Sequence, residues 1–162
     1  MTLVSCGKRY VLPQWEKNRR LSMLCNYLGR DSRWGHVHYA FDCRRFSDPD
    51  YADVDVRDHV GHPPAIQRSI VQNINWVDLL QKINFRLQTL QSQRHVTLAL
   101  VCRSGRHRSV GVTELLASCL LGLGMRTTVH HHSEDRWWKY LCRGYHLDAD
   151  GHFRCPDCMT SQ

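Results

Sequence analysis

The run His95–Val101 (HVTLALV) constrains the fold of this chain more than any other segment. It is a continuous, β-rich apolar stretch, which is typical of a parallel-sheet strand that is covered on both faces. Apolar residues recur at helical spacing before it, at about 65–93, and after it, at about 107–123, and a further strand is expected at 127–131. This alternation predicts an α/β fold with a Rossmann-like open, mostly parallel sheet and helices on both faces.

The remaining strands are expected nearer the N-terminus. We interpret Leu21–Cys25 and Val37–Asp42 as short strands, and the Pro- and Asp-rich stretch that begins at Pro49 as a loop. A length of 162 residues suits one compact domain. We therefore expect residues 1–134 to form the sheet domain. Residues 135–162, which are rich in Trp, Cys and His, are expected to form a small appendage of the same domain.

The charge of the chain favours anionic partners. The sequence has 22 Lys and Arg against 15 Asp and Glu, a formal net charge of +7. Such a surface attracts nucleic acid, phosphorylated metabolites or acidic membranes. The first ten residues lack the features of a signal peptide, and the apolar stretch Leu115–Met125 is too short to span a bilayer. We expect a cytoplasmic protein with no membrane partner, whose eight cysteines are reduced thiols or metal ligands.

The segment CRSGRHRS, between the central strand and the following helix, predicts an anion-binding loop. In open parallel sheets, ligands bind beyond the carboxyl ends of the strands. Backbone N–H groups in such a turn, with a helix dipole behind them, form a cradle for an oxyanion. Gly105 permits a tight turn, Arg108 offers a bidentate contact to phosphate, and Ser109 offers a hydroxyl donor. The expected binding residues of this loop are Cys102, Arg103, Ser104, Gly105, Arg106, His107, Arg108 and Ser109.

The spacing within this loop resembles the phosphate loop of cysteine-dependent phosphatases, where Cys, five residues, Arg and then Ser or Thr follow one another. The resemblance implies Cys102 as the nucleophile, Arg108 as the phosphate clamp and Ser109 as a helper of the leaving thiolate. The residue before the cysteine is not the usual His of that family. Several aspartates, including Asp58 and Asp78, are available as a general acid, and the sequence does not single one out.

A longer stretch, about residues 21–134, resembles the C-terminal domain of the RNase adapter protein RapZ family. FDCRRFSDP (Phe41–Pro49) resembles the family's Phe-Asp-x-Arg stretch, and VGHPPAI (Val60–Ile66) its later Thr-Gly-x-x-Pro. GRHRSV (Gly105–Val110) resembles the family's Gly-x-His-Arg-Ser-Val, again preceded by a Cys at the end of a strand. VHHHSE falls where the family has Arg-His-Arg. Four matches in one order make this the preferred assignment.

The RapZ resemblance implies a phosphate-loop domain of Rossmann-like type. In that family the region binds an aminosugar phosphate and regulatory RNA and assembles into oligomers. The resemblance adds Asp42 and Arg44, from one strand end, and His131, from another, to the expected ligand contacts. His130 and His132 stand where the family has arginines.

A noncatalytic domain that binds a phosphosugar, a nucleotide or an RNA phosphate, as a sensor or an RNA-binding adapter, is therefore the main functional prediction. The resemblance to the RapZ family, whose members assemble into oligomers, also implies that the protein binds this ligand as a homo-oligomer. The alternative is a cysteine-dependent phosphatase that uses Cys102 and Arg108. No GxxxxGK[ST] motif occurs, so no ATP site is expected.

The C-terminal tail predicts a structural Zn²⁺ site. Cys155 and Cys158 form a CxxC turn whose thiolates can share one ion, and Cys142 with either His146 or His152 can complete a tetrahedral set. We expect Cys142, His146, Cys155 and Cys158 as the ligands. Reduced cysteines in a loosely ordered tail and a redox dithiol are the alternatives.

Overall fold

The structure is a computed structural model that describes residues 1–8, 21–30, 33–47, 60, 64–133, 146–147 and 153–154. The strands are β1 (Thr2–Gly7), β2 (Tyr39–Asp42), β3 (Thr97–Cys102), β4 (Thr128–His131), β5 (His146–Leu147) and β6 (Phe153–Arg154). The helices are α1 (Leu21–Leu28), α2 (Pro64–Val71), α3 (Ile74–Gln88) and α4 (Arg108–Gly122). A 3₁₀ turn, Cys43–Arg45, directly follows β2.

Four strands form one parallel sheet in the order β2-β3-β1-β4. β1 and β3 are the central strands, and their register pairs Thr2 with Thr97 and Gly7 with Cys102. Every strand pair in this sheet is parallel, so the chain crosses over between strands through the helical segments. The predicted Rossmann-like α/β class is therefore confirmed. β5 and β6 form a separate antiparallel pair in the tail.

Both faces of the sheet are covered by helices. Side chains alternate along each strand, so Leu3 of β1 faces one core and Val4 the other. The core around Leu3, which α2, α3 and α4 cover, is called the α4 face below. The core around Val4, which α1 covers through Leu24 and Leu28, is called the α1 face. Full burial of each of these leucines stabilises the fold by about 2 kcal/mol.

The prediction of a strand at Leu21–Cys25 is wrong, because this segment begins helix α1. Leu24 and Leu28 are fully buried, while Leu21 and Cys25 pack partly against the same core. This is the i, i+3, i+4, i+7 spacing of an amphipathic helix. Five residues were too short a window to distinguish that spacing from a strand pattern.

The strand that the sequence prediction missed is β1, which lies at the centre of the sheet. Its residues, TLVSCG, include Ser, Cys and Gly, so the local β signal is weak. All six are buried. The position of β1 between β3 and β4 supplies the burial that its sequence alone does not indicate.

The helical stretch predicted at about 65–93 is divided into α2 and α3. The Asn73 side chain accepts a hydrogen bond from the Asn75 backbone N–H at 3.0 Å and so caps the N-terminus of α3. Both helices pack on the α4 face, α2 through Ile66 and Ile70. Among the described residues, no helix is long and apolar enough to cross a membrane.

Candidate functional site

The carboxyl ends of the four parallel strands lie at one edge of the sheet. There β3 ends at Cys102, and residues 103–107 form a short loop that leads into α4 at Arg108. We call residues 102–109 the strand–helix loop. Ligands of open parallel sheets bind at this edge, and the structure puts the strand–helix loop beside the end of β1.

Two glycines set the path of the loop. Gly105 has a φ of 69°, a backbone conformation that favours glycine. A Cβ atom on Gly105 would lie 2.4 Å from the Gly7 backbone nitrogen, and one on Gly7 would lie 2.4 Å from the Ser104 carbonyl carbon. The backbones of β1 and the loop are therefore in direct contact. The sequence predicted the tight turn at Gly105. It did not predict that Gly105 contacts Gly7 of β1.

The Cys102 side chain holds the two ends of the strand–helix loop together. Its Sγ accepts a hydrogen bond from the Gly105 backbone N–H at 3.1 Å and lies 3.2 Å from the Ser109 Oγ. The Cys102 side chain is 1% exposed, and Ser109 is fully buried. The sulfur therefore connects the end of the strand, the turn and the first residues of the helix.

Helix α4 begins at this loop without a side-chain cap from its N-cap residue. His107 occupies the N-cap position and makes no capping hydrogen bond among the described residues. The N-terminus of a helix carries partial positive charge and backbone N–H groups that lack partners within the helix. The start of α4 is therefore suited to an anion, as the sequence predicts for the strand–helix loop.

Arg108 contacts the turn that follows β2. Its Nη1 donates hydrogen bonds to the carbonyl oxygens of Arg44 and Phe46, both at 3.3 Å, and the residue is 9% exposed. The sequence suggested a phosphate clamp. The two bonds hold the turn after β2 against the start of α4, and the contact of Arg108 with phosphate stays a prediction.

Asp42 and Arg44 form a local ion pair at the end of β2. Arg44 donates from Nε to Asp42 Oδ1 at 2.8 Å and from Nη2 to Oδ2 at 2.6 Å, and its backbone N–H donates to Oδ1 at 2.9 Å. Burial acts to raise the pKa of Asp42, but the hydrogen bonds from Arg44 outweigh it and hold the pKa below its ordinary value. Asp42 therefore lies at this edge as a carboxylate already paired with Arg44.

His131, at the end of β4, connects the sheet to α4. Its Nδ1 is 2.7 Å from the Ser5 Oγ, and its Nε2 is 2.9 Å from the Glu114 Oε1. Both ring nitrogens are thus engaged within the protein, on the α4 face. The predicted pocket residue His131 therefore connects β1, β4 and α4 at the edge where the strand–helix loop lies.

The neighbours of His131 point to the opposite face. The ring of Trp34, on the α1 face, lies 5.3 Å from the ring of His130 and 5.9 Å from that of His132. The Arg33 guanidinium lies 4.4 Å from the centre of the Trp34 ring. Alternation along the strand thus keeps His130 and His132, which stand where the family has arginines, away from His131.

The sequence model of the RapZ C-terminal domain matches residues 31–135 of the chain, about two thirds of its length. The chain belongs to the RapZ C-terminal domain family. The resemblance drawn from the four motifs is therefore confirmed.

Curated relatives agree with this assignment. A nucleotide-binding protein of Ruegeria pomeroyi is 26% identical over 102 residues, which cover 59% of this chain and 36% of the relative. One from a Jannaschia species is 30% identical over 102 residues, 59% of this chain and 32% of the relative. One from Streptomyces griseus is 28% identical over 135 residues, 83% of this chain and 36% of the relative. The chain spans about a third of the length of these relatives.

Ser133 is a buried polar residue of the RapZ C-terminal domain that the sequence analysis did not select. It follows β4 and is 1% exposed, and its Oγ has no hydrogen-bond partner among the described residues. The same oxygen lies 2.7 Å from the position that a Cβ atom on Gly105 would occupy. A buried hydroxyl without a partner is costly, so Ser133 is a candidate ligand contact. Its position two residues after the end of a strand was the only signal in the sequence.

The predicted metal ligands lie largely outside the described residues. Cys142, Cys155 and Cys158 are not described, and only the backbone of His146, in β5, is. Within the part of the RapZ C-terminal domain that the structure describes, no group of three or more His, Cys, Asp or Glu side chains is placed to hold a metal ion. The zinc site of the tail therefore stays a prediction.

Proposed function

We propose that this RapZ C-terminal domain binds the phosphate group of a ligand at the strand–helix loop. The observation that carries the proposal is the closed turn in which the Gly105 N–H donates to the Cys102 Sγ, directly before the start of α4. A turn at the positive end of a helix, at the carboxyl edge of a parallel sheet, favours an oxyanion.

The electrostatics of the loop support a phosphate rather than a neutral ligand. Arg103, Arg106 and Arg108 lie within six residues, and Arg103 is exposed to solvent. The net charge of +7 adds a long-range attraction for anions. The phosphate would receive N–H donors from the start of α4 and a hydroxyl from Ser133, and arginines would surround it.

The ligand class that we propose is a phosphosugar, a nucleotide or an RNA phosphate, bound by a sensor or RNA-binding adapter domain. The relatives named nucleotide-binding proteins support a phosphorylated ligand. A single phosphate group is common to all three ligands, so the same loop can serve each. The rest of the ligand would distinguish them.

Isothermal titration calorimetry tests the proposal. The chain is titrated with inorganic phosphate, a hexosamine phosphate, a nucleoside monophosphate and a short RNA, each at two salt concentrations. We expect phosphate to bind, and RNA affinity to fall steeply with salt because bound counterions are released. Absence of binding by every phosphorylated compound would overturn the proposal.

Ser133→Ala tests most directly whether the Ser133 hydroxyl contacts the phosphate, and Ser118→Ala is its matched control. Ser118 is exposed on α4, where its Oγ donates to the Glu114 carbonyl. Loss of the Ser133 hydroxyl should leave the unliganded protein as stable or slightly more stable, because a buried polar group without a partner is removed. Phosphate affinity should fall by about 10-fold or more. Equal phosphate affinity in the two variants would contradict the role of Ser133.

A phosphatase is the second candidate function, and two contacts of Cys102 favour it. A Cys102 sulfur that accepts an N–H from Gly105 and lies beside the Ser109 hydroxyl resembles an activated nucleophile. A general acid is harder to assign. Asp42 is an ion-paired carboxylate, Asp78 lies 2.6 Å from Lys82 on α3, and Asp58 is outside the described residues.

Hydrolysis of an aromatic phosphate ester by the wild type and by Cys102→Ser separates the two functions. The binding function predicts the same background rate in both proteins. A wild-type rate well above background that is lost in Cys102→Ser would establish the phosphatase instead.

A further inference from the structure

Two buried thiols lie side by side where β2 and β3 end. β2 and β3 are parallel neighbours, and their register pairs Asp42 with Val101. The next residues are therefore neighbours: Cys43, which begins the 3₁₀ turn after β2, and Cys102, which ends β3. Adjacent strands are about 4.8 Å apart, and disulfides join residues whose Cα atoms are about 4.4–6.8 Å apart.

The direction of the side chains distinguishes this pair from the other buried thiols. Cys43 and Cys102 both belong to the core of the α4 face. Cys6, on the strand at the other side of β3, points to the α1 face, where Cys25 packs partly against the same core. The Cys43 sulfur donates a hydrogen bond to the Phe41 carbonyl at 3.9 Å, and Cys102 lies close enough to raise the pKa of Cys43.

We propose that Cys43 and Cys102 form a reversible disulfide under peroxide stress and that this bond switches off the strand–helix loop. The inference rests on the proposed phosphate site, because the sulfur that would be bonded to Cys43 is the one that organises this site. In the reduced protein, Cys102 Sγ accepts the Gly105 N–H and contacts the Ser109 Oγ. Bond formation removes the S–H and draws the Cys102 sulfur toward Cys43, so these contacts should weaken and the turn that places the loop amides should loosen.

The chemistry needs a peroxide and balances in two steps. The Cys102 sulfur attacks one peroxide oxygen, the O–O bond breaks, and a sulfenic acid and hydroxide form. The Cys43 sulfur then attacks the Cys102 sulfur, the S–O bond breaks, and the disulfide and a second hydroxide form. The two thiol protons convert both hydroxides to water. Two thiols lose two electrons in all, and the peroxide gains them.

The two sulfurs have different roles in this reaction. Burial raises the pKa of Cys43 well above its ordinary value, and the neighbouring Cys102 raises it further. Cys43 is therefore poorly suited to attack first. We assign the first reaction to Cys102, whose chain neighbour Arg103 is exposed at the strand–helix loop, and the resolving attack to Cys43.

Peptide mapping of the intact chain tests bond formation. The reduced protein is treated with hydrogen peroxide, alkylated and digested with trypsin. Cys43 and Cys102 are each the only cysteine of their peptide, residues 34–44 and 95–103. We expect these two peptides to be linked after peroxide and released by dithiothreitol. A digest without this link, or with Cys102 joined to another cysteine, would overturn the proposal.

Phosphate affinity tests the consequence. Peroxide should lower the affinity of the wild type for inorganic phosphate by about 10-fold or more, because the loop amides no longer converge, and dithiothreitol should restore it. Cys43→Ala should bind phosphate as well as the reduced wild type does. After peroxide it should form no linked peptide, and its Cys102 should stop at the sulfenic acid, which dimedone labels. Cys6→Ala, an equally buried thiol on the opposite face, should respond like the wild type. An unchanged phosphate affinity in the linked protein would refute the switch.

A ligand-independent measurement keeps this inference separate from the proposed function. Amide hydrogen exchange at Gly105 should be slow in the reduced protein, because its N–H is bonded to Cys102, and faster in the linked protein. If the reduced chain bound no phosphate, the proposed function would fail. The switch would then be judged by the linked peptides and the exchange at Gly105, and unchanged exchange would overturn it.

Discussion

The backbone of Gly7 lies directly against that of Gly105, so a Cβ atom on Gly105 would come within 2.4 Å of the Gly7 nitrogen. Gly7 ends the central strand β1, and Gly105 turns the strand–helix loop. The loop is thus supported by a strand that lies before the residues matched by the RapZ C-terminal domain. Any side chain at either position must push the loop and the sheet apart.

Gly105→Ala should destabilise the protein more than Gly124→Ala does. Both glycines have a positive φ, 69° and 77°, so both variants carry similar backbone strain. Only at Gly105 does the new methyl meet other atoms, because the site beside Gly124 is open. We expect losses in the free energy of unfolding of about 3 kcal/mol for Gly105→Ala and about 1 kcal/mol for Gly124→Ala, measured by urea unfolding. Equal losses would show that the contact with Gly7 adds nothing.

Arg108→Met should weaken the fold as well as the anion site. The variant removes the two hydrogen bonds to the carbonyls of Arg44 and Phe46. Bonds from a charged donor contribute about 1.5–3 kcal/mol each, so we expect a loss of about 3 kcal/mol in urea unfolding.

Arg103→Gln is the matched control for Arg108, because Arg103 belongs to the same loop and is exposed. Its unfolding free energy should stay within about 0.5 kcal/mol of the wild type. Its phosphate affinity should fall at low salt, where charges are least screened. A large loss of stability in Arg103→Gln would assign it a structural contact.

Stability should decrease as the pH falls below about 6.5, with a contribution from His38. Burial lowers the pKa of His38 from its ordinary value of 6.5, and the neighbouring His36 and His95 lower it further. The Thr97 N–H donates to His38 Nδ1 at 3.1 Å, which requires that this nitrogen be unprotonated. The unfolded chain therefore binds the proton more tightly. This stability is complete above 6.5 and is lost as the pH falls from 6.5 through the lower pKa of His38 in the folded protein.

His38→Asn provides the comparison for this pH effect, because an amide oxygen can accept the same N–H without titrating. Urea unfolding of both proteins between about pH 5 and pH 8 should give a shallower loss of stability for His38→Asn. Identical slopes would remove His38 from the explanation.

We propose that the tail holds a structural zinc ion, and metal analysis tests this directly. The chain purified without chelators should contain one zinc ion per molecule, and Cys155→Ser should lose it because a tetrahedral site needs all four ligands. Cys119→Ser is the control, since Cys119 is an exposed thiol on α4. A metal-free wild-type protein with an ordered tail would contradict the zinc site.

The sequence by itself determined the fold class and the family. The apolar run of β3 could be buried only in a sheet covered on both faces, which led to the parallel α/β class. The alternation at residues 130–132 also follows from strand geometry, because neighbouring side chains of any strand point to opposite faces. These features depend on residues that are close in the chain, so a local pattern can show them.

Only the tertiary structure decided which distant residues meet. The pairing of β1 with β3 and β4, the contact between Gly7 and Gly105, and the bonds from Arg108 to the turn after β2 join residues about 60 to 130 positions apart. Such contacts are set by strand order and register, and a shift of one residue would turn each side chain to the other face. A single sequence records the period of each element but not its partner, so β1 and Gly7 became visible only in the folded sheet.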